Sequence, residues 1–377
     1  MISYACACGQ PLFFDNTRCL GCGAQIAYDP ERRKLGPIDP DADGHWAFRD
    51  DDRATAEPFR LCAHRTAPAA CNWLLPAHET ASTCIACRTT RTVPDLSRPR
   101  NAKRLLELET AKRRVLSNLK GIGIAVVPRS DDPERGLAFD FLESLDEAAP
   151  VMTGHASGVI TLNVEEADDD YRERNRESLA EPYRTIVGHL RHELGHYFWD
   201  RLVFEGPWLR PFRSLFGDER ADYGAALEQH YSNGAPPDWP QRFISAYAAS
   251  HPWEDWAESW AHYMHLRSTL ETVASYRLDT ASVPLRMTPF GQAALHGHAP
   301  PASAAAFLAW INAWVVLTTV LNETARSMGQ PDIYPFVMNQ RVVTKLHFVH
   351  RVVTGDDPDA TPAPPETLLV PGGARPA

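Results

Sequence analysis

A chain of 377 residues that is 44% hydrophobic and 23% charged has the composition of a soluble globular protein, and it is too long for one small core. Its formal net charge of -10 excludes a general nucleic-acid binder, which needs a basic face for phosphates. Residues 1–100 are neutral, with 12 basic and 12 acidic side chains, so the acidity lies in the remainder.

The N-terminus, MISYACACGQ, has no basic segment leading into an apolar run. No secretory signal is expected, and the chain is read as cytoplasmic. All eight cysteines, Cys6, Cys8, Cys19, Cys22, Cys62, Cys71, Cys84 and Cys87, precede residue 90. In a cytosolic chain such clusters hold metal more often than they form disulfides. Cys6 with Cys8, Cys19 with Cys22, and Cys84 with Cys87 are close pairs. On a tight turn, each pair can bring two sulfurs to one tetrahedral ion at about 2.3 Å. Gly9, Gly21 and Gly23 supply such turns at the first site. Two structural zinc ions are expected, one on Cys6, Cys8, Cys19 and Cys22, the other on Cys62, Cys71, Cys84 and Cys87. Interleaved pairing of the half-sites stays open, as does His64 in place of Cys62. Four-sulfur sites leave no position for substrate, so they stand in for a core that this polar segment is not expected to build. Residues 1–92 thus read as a small zinc-ribbon-like domain, with a polar connector at 39–57.

Residues 93–100, with Pro94 and Pro99, read as a linker. A helix is predicted over 101–119, where Leu105, Leu106, Leu108, Leu116 and Leu119 alternate with charges. Lys103, Arg104, Lys112, Arg113, Arg114 and Lys120 should form its solvated basic face. Apolar strands are predicted at 123–127, 137–142 and 158–163, and helices from there to about 353. Residues 302–322 carry no charge. Phe307, Trp310, Ile311, Trp314, Leu317 and Leu321 nevertheless form a one-sided stripe, which suits a buried helix better than a membrane span. Residues 355–377, rich in Pro, Ala and Gly, read as a disordered tail.

The chemistry concentrates at His192, Glu193 and His196, in a helical context of Ile186, Val187, Leu190, Leu194, Tyr197 and Phe198. Residues four apart share a helix face, so both imidazoles can hold one zinc ion. Glu193 lies about 100° round the helix, where it can touch a zinc-bound water without replacing a ligand. Zinc lowers the pKa of that water toward about 7, and the carboxylate can take the proton and pass it to a leaving amine. A catalytic zinc needs a third protein ligand. Leu202 stands where a metzincin needs a histidine. Glu254 and Glu258 lie one turn apart among Trp253, Trp256, Ala257 and Trp260. Two carboxylates on so apolar a helix are costly to bury without a cation. Asp200, one turn beyond His196, either orients that ring or caps a surface turn. His189 reads as a core histidine.

Residues 254–258 resemble the Glu-Phe-Phe-Ala-Glu element of gluzincin peptidases such as anthrax lethal factor, and are similar to Mlc titration factor. The resemblance implies that Glu254 is the third zinc ligand and that Glu258 supports a histidine ligand. It also implies that Tyr247, seven residues before Glu254, stabilises the oxyanion. The cysteine-rich N-terminus and residues 217–223, 251–258 and 334–337 resemble a bacterial family of zinc-binding metallopeptidases. Residues 158–163 resemble the edge strand that precedes the active-site helix in such peptidases and can bind an extended peptide.

The expectation is an α+β protein. A mainly helical zincin-like catalytic domain with a small sheet, over residues 101–354, follows the ribbon-like domain. It would cleave protein or peptide substrates with one catalytic and two structural zinc ions. No membrane or nucleic-acid partner is expected. Two other classes compete. One is a binding module whose ribbons recognise a partner, while the zincin-like domain is catalytically silent or cleaves only itself. The other is a DNA-associated regulator using the ribbons and the basic helix.

Overall fold

The computed structural model describes residues 2–52, 55, 57–145, 151–179, 181–297 and 301–356. The expected tail lies outside the described residues beyond 356. At the N-terminus, β1 (Tyr4–Ala5) and β2 (Pro11–Leu12) pair as a short hairpin. β3 (Ile26–Asp29), β4 (Lys34–Pro40), β5 (Trp46–Phe48), β6 (Phe59–Leu61) and β7 (Leu74–Pro76) form an antiparallel meander, each beside the next. Ala27, Ile38, Phe48, Phe59 and Leu74 make a small apolar cluster within it. This segment does build a core of its own, contrary to the reading from its polarity. The supposed connector at 39–57 contains the end of β4 and all of β5. β3 is buried on both faces, Ile26 and Tyr28 in the main core and Ala27 in this cluster, which average composition conceals.

After α1 (Ile85–Arg88), β8 (Thr90–Thr92) and α2 (Asn101–Gly121) come β9 (Ala138–Leu142), β10 (Gly154–Ala156) and β11 (Val159–Asn163). The second sheet runs β10-β11-β9-β8, with β8 and β11 parallel to β9 and β10 antiparallel to β11. β8 comes from the cysteine-rich side of the sequence, so the two parts share a sheet. Two strand expectations are corrected here. Residues 123–127 form no strand; the chain meets Leu137 through one bridge at Pro128. Both flanks of β9 are already taken by β8 and β11. Residues 158–163 do supply β11, but it is interior, and β10 is the edge.

The remainder is helical: α3 (Asp169–Ser178), α4 (Ile186–Leu202), α5 (Leu209–Leu215), α6 (Tyr223–Asn233), α7 (Trp239–Arg242), α8 (Pro252–Ser275), α9 (Pro301–Ser327) and α10 (Gln340–Thr354). The fold is α+β and mainly helical, as expected. By length and composition, residues 302–327 of α9 could cross a membrane. Its stripe of Phe307, Ile311, Trp314 and Leu317 is buried in the main core. Asn312 pairs with the backbone of Phe290 and Asn322 with that of Tyr334. Its amides are thus satisfied by protein.

α2 is clamped between the two parts. The Tyr28 hydroxyl and Ser117 Oγ are 2.6 Å apart on one side. On the other, Arg191 donates to Asn118 Oδ1 at 2.9 Å. Arg104, Lys112 and Arg113 are consequently buried, which corrects the expected solvated basic face. Lys112 Nζ donates to Glu109 Oε1 at 2.9 Å, both side chains being closed to solvent, and also to Thr90 Oγ1. Removing one partner of a buried pair costs about 3–5 kcal/mol, because the other charge is left uncompensated. Lys112→Met is therefore expected to lower the unfolding free energy by up to that amount, Arg113 still facing Glu109 at 3.6 Å, and to show as a lower urea midpoint at unchanged m-value. A loss under about 1 kcal/mol would mean that water screens the pair.

The ribbon part also grips the far end of α8. Arg33 donates to both carboxylate oxygens of Glu271 at 2.6 and 2.7 Å, and Ser3 N donates to Ser275 Oγ at 3.0 Å. Glu271 lies nearly five turns along α8 from Glu254, about 25 Å.

Candidate metal centre

α4 and α8 each begin with a side-chain cap. Thr185 Oγ1 accepts from Gly188 N at 3.0 Å, and His251 Nδ1 accepts from Trp253 N at 3.1 Å, with Pro252 in the first turn of α8. The helices meet most tightly at Gly195. A Cβ there would stand 2.8 Å from Ala257 Cα, and Trp256 Nε1 donates to Gly195 O at 2.8 Å. This close approach lets a carboxylate on α8 reach the histidines on α4. Gly195→Ala is expected to force the helices apart, costing about 1–3 kcal/mol. The check is a lowered melting temperature together with weaker zinc retention against a chelator.

His192, His196 and Glu254 converge. His192 Nε2 is 3.2 Å from His196 Nε2 and 3.0 Å from Glu254 Oε2, and His196 Nε2 is 3.5 Å from the same oxygen. Ligands bonded at 2.0–2.1 Å to a tetrahedral zinc stand about 3.3 Å apart. Glu254 Oε2 is buried and accepts no hydrogen bond. Two imidazoles and a carboxylate with such an orphaned oxygen fit a zinc ion that keeps one position open. Burial opposes charge on Glu254, yet the neighbouring His196 and His192 hold its carboxyl well below the usual range.

Glu258, one turn on, faces the other ring nitrogen. Its Oε1 is 2.8 Å from His192 Nδ1, and its Oε2 accepts from Ser245 Oγ at 2.7 Å. Burial would raise its pKa, but the bond to His192, that ring's charge and the Ser245 hydroxyl bring it down to about 2. With the ring neutral, a carboxylate so placed would hold the proton on Nδ1 and leave the Nε2 lone pair free for a metal ion. Glu193 is buried beside the three converging groups, and its Oε2 has no hydrogen-bond partner. Burial pushes its pKa up, against the pull of His192 and His196.

Tyr247 lies with its ring centroid 5.8 Å from that of His192. Burial, then the charge of Glu254, hold its phenol well above its ordinary pKa, so it keeps its proton. Asp200 makes no hydrogen bond to His196, whose Nδ1 is buried without a partner, and α4 ends on a backbone cap at Val203. Burial raises the Asp200 pKa and the nearby His196 opposes that rise. His189 is partly buried, 3.7 Å from Glu166.

Sequence reasoning missed three neighbours. Tyr223, at the start of α6, donates its hydroxyl to Glu254 Oε1 at 2.7 Å, fixing the oxygen that faces away from the histidines. Trp253 lies against His196 with ring centroids 3.8 Å apart and the planes tilted by 40°. His155, on the edge strand β10, lies 6.5 Å from His196; burial and that ring lower its pKa to about 4. The motif at 217–223 ends on Tyr223 and was the available signal, but it assigned that residue no role.

The cysteines form two sets in sequential order. Cys6–Cys22 and Cys8–Cys19 sulfurs are 3.7 Å apart; Cys62–Cys87 and Cys71–Cys84 sulfurs are 3.6 Å apart. Four thiolates at 2.3 Å from a tetrahedral zinc would stand about 3.8 Å apart. Interleaving is thus not what the fold adopts. His64 stays outside the second set and offers its carbonyl to Cys71 N.

A sheet-and-helix scaffold with histidines one turn apart on α4 and a glutamate from α8 defines a zincin-like centre. Residues 101–352 match the model of the family described as "Putative zinc-binding metallo-peptidase", and the chain belongs to that family. Residues 3–98 match a zinc-ribbon domain. The chain is 39% identical over 357 residues, 94% of its length and 96% of theirs, to uncharacterized proteins of Mycobacterium tuberculosis and Mycobacterium bovis. No solved structure matches it.

Proposed function

We propose that this protein is a zinc-dependent peptidase that hydrolyses peptide bonds with Glu193 as general base and then general acid. The observation that carries the reading is the convergence of His192, His196 and Glu254 beside a buried Glu193 oxygen with no partner. When bound, zinc would act as a Lewis acid toward the scissile carbonyl and acidify the attacking water. Glu193 would take the proton from that water and pass it to the leaving amine. Its raised pKa suits a group that must both accept and release a proton. Tyr247, kept protonated, would donate to the developing oxyanion. Glu258 would hold His192 in its liganding tautomer. Among the described residues β10 is unpaired on its outer side near His196, where an extended peptide could add a strand.

The test is zinc per chain by elemental analysis, in the wild type and in His192→Ala/His196→Ala, with both proteins verified as folded. Three zinc ions falling to two is the expected result. Two in both proteins, even after zinc addition, would overturn the reading in favour of a ribbon-based binding protein.

A further inference from the structure

Away from the metal centre, a cavity of about 240 Å³ opens between the ends of α5 and α7 and the first turns of α10. Its wall carries Arg242, Arg341 and Lys345, with the hydroxyls of Ser214 and Thr344, and no carboxylate. Lys345 answers Asp255 at 2.6 Å and also donates to Arg242 O at 2.9 Å. Arg242 faces Asp238 at 3.4 Å, on the exposed side. Arg341 has no ion pair or hydrogen bond among the described residues. Burial lowers the Lys345 pKa, Asp255 opposes that, and Arg242 and Arg341 add to the lowering. The cavity therefore holds more positive charge than its protein neighbours neutralise.

The placement on α10 sharpens the point. A helix N-terminus carries partial positive charge and favours acidic residues. The first turn of α10 has none, and places Arg341 there instead. Like charges at the positive end of a helix are unfavourable unless an anion joins them. The volume is below that of pockets for drug-sized ligands, so the anion is small.

We propose that this cavity binds a small free anion of the phosphate class, held by Arg242, Arg341 and Lys345. The proposal is independent of the peptidase reading. Inorganic phosphate would be titrated calorimetrically at an ionic strength fixed with chloride. The proteins compared would be the wild type, Arg242→Gln/Arg341→Gln and His192→Ala/His196→Ala. Both arginines are exposed, and melting in chloride verifies that the variant folds. Saturable 1:1 binding, weakened at least about tenfold in the arginine variant, is the expected result, the loss of charge-assisted hydrogen bonds being of that order. No saturable binding, or binding that the arginine variant leaves unweakened, would overturn it. In the latter case, loss in the histidine variant would place phosphate at the metal centre instead.

Discussion

Glu193→Gln is expected to lower peptide hydrolysis by about 10²–10⁴-fold while leaving zinc content at the wild-type value. Glutamine preserves the shape of the side chain and its burial but cannot take a proton. Glu193 is not one of the three converging ligands, so the ion should stay. The same substitution relieves the burial of a carboxylate whose Oε2 has no partner, so stability should hold or rise. Measuring turnover, zinc and melting temperature on the same sample separates the cases. Lost turnover with zinc retained supports a proton-transfer role. Unchanged turnover would move the general base elsewhere. Lost zinc would mean that Glu193 ligates the ion directly.

Cys71→Ser is expected to unfold the N-terminal part and lower the stability of the whole chain. Structural zinc in small domains contributes about 10–16 kcal/mol to folding, while a typical domain is stable by only about 5–15 kcal/mol. All four cysteines of this second site are buried, whereas Cys8 and Cys22 of the first are exposed. The second site also lies against α2, where Arg113 donates to Ala69 O at 3.1 Å. Cys8→Ser should thus be the milder change. Zinc content, limited proteolysis within residues 57–92 and urea unfolding would test the pair. Equal tolerance of both substitutions would mean that the meander core, not the metal, holds this part together.

Much of the site was legible because its chemistry is local in sequence. His192 and His196 share a face by helical period alone, and close cysteine pairs announce a tetrahedral ion. Glu254 needed the resemblance, since spacing did not distinguish it from Glu258. Tyr223 was not legible: its bond to Glu254 joins two helices across 31 residues, and no periodicity marks it. Gly195 carries no signal of its own in the sequence, yet it permits the close approach of α4 and α8. The charges of α2 misled because a basic stripe implies solvent only when one side of a helix is open. Here Lys112 and Glu109 compensate each other out of water. The segment 123–127 had the apolar character of a strand but no free partner, which is a property of the whole sheet.

The pairing of β8 with β9 also bears on where the chain can be cut. The family match begins at residue 101, but a fragment starting there would lose Thr90–Thr92. The unpaired backbone of β9 would then face solvent, and Lys112 would lose Thr90 from its shell. An exposed apolar edge of this kind recruits other chains. The cysteine-rich part acts as a permanent splint for the domain beside it, and insolubility of a trimmed fragment would say nothing about the soundness of the intact one.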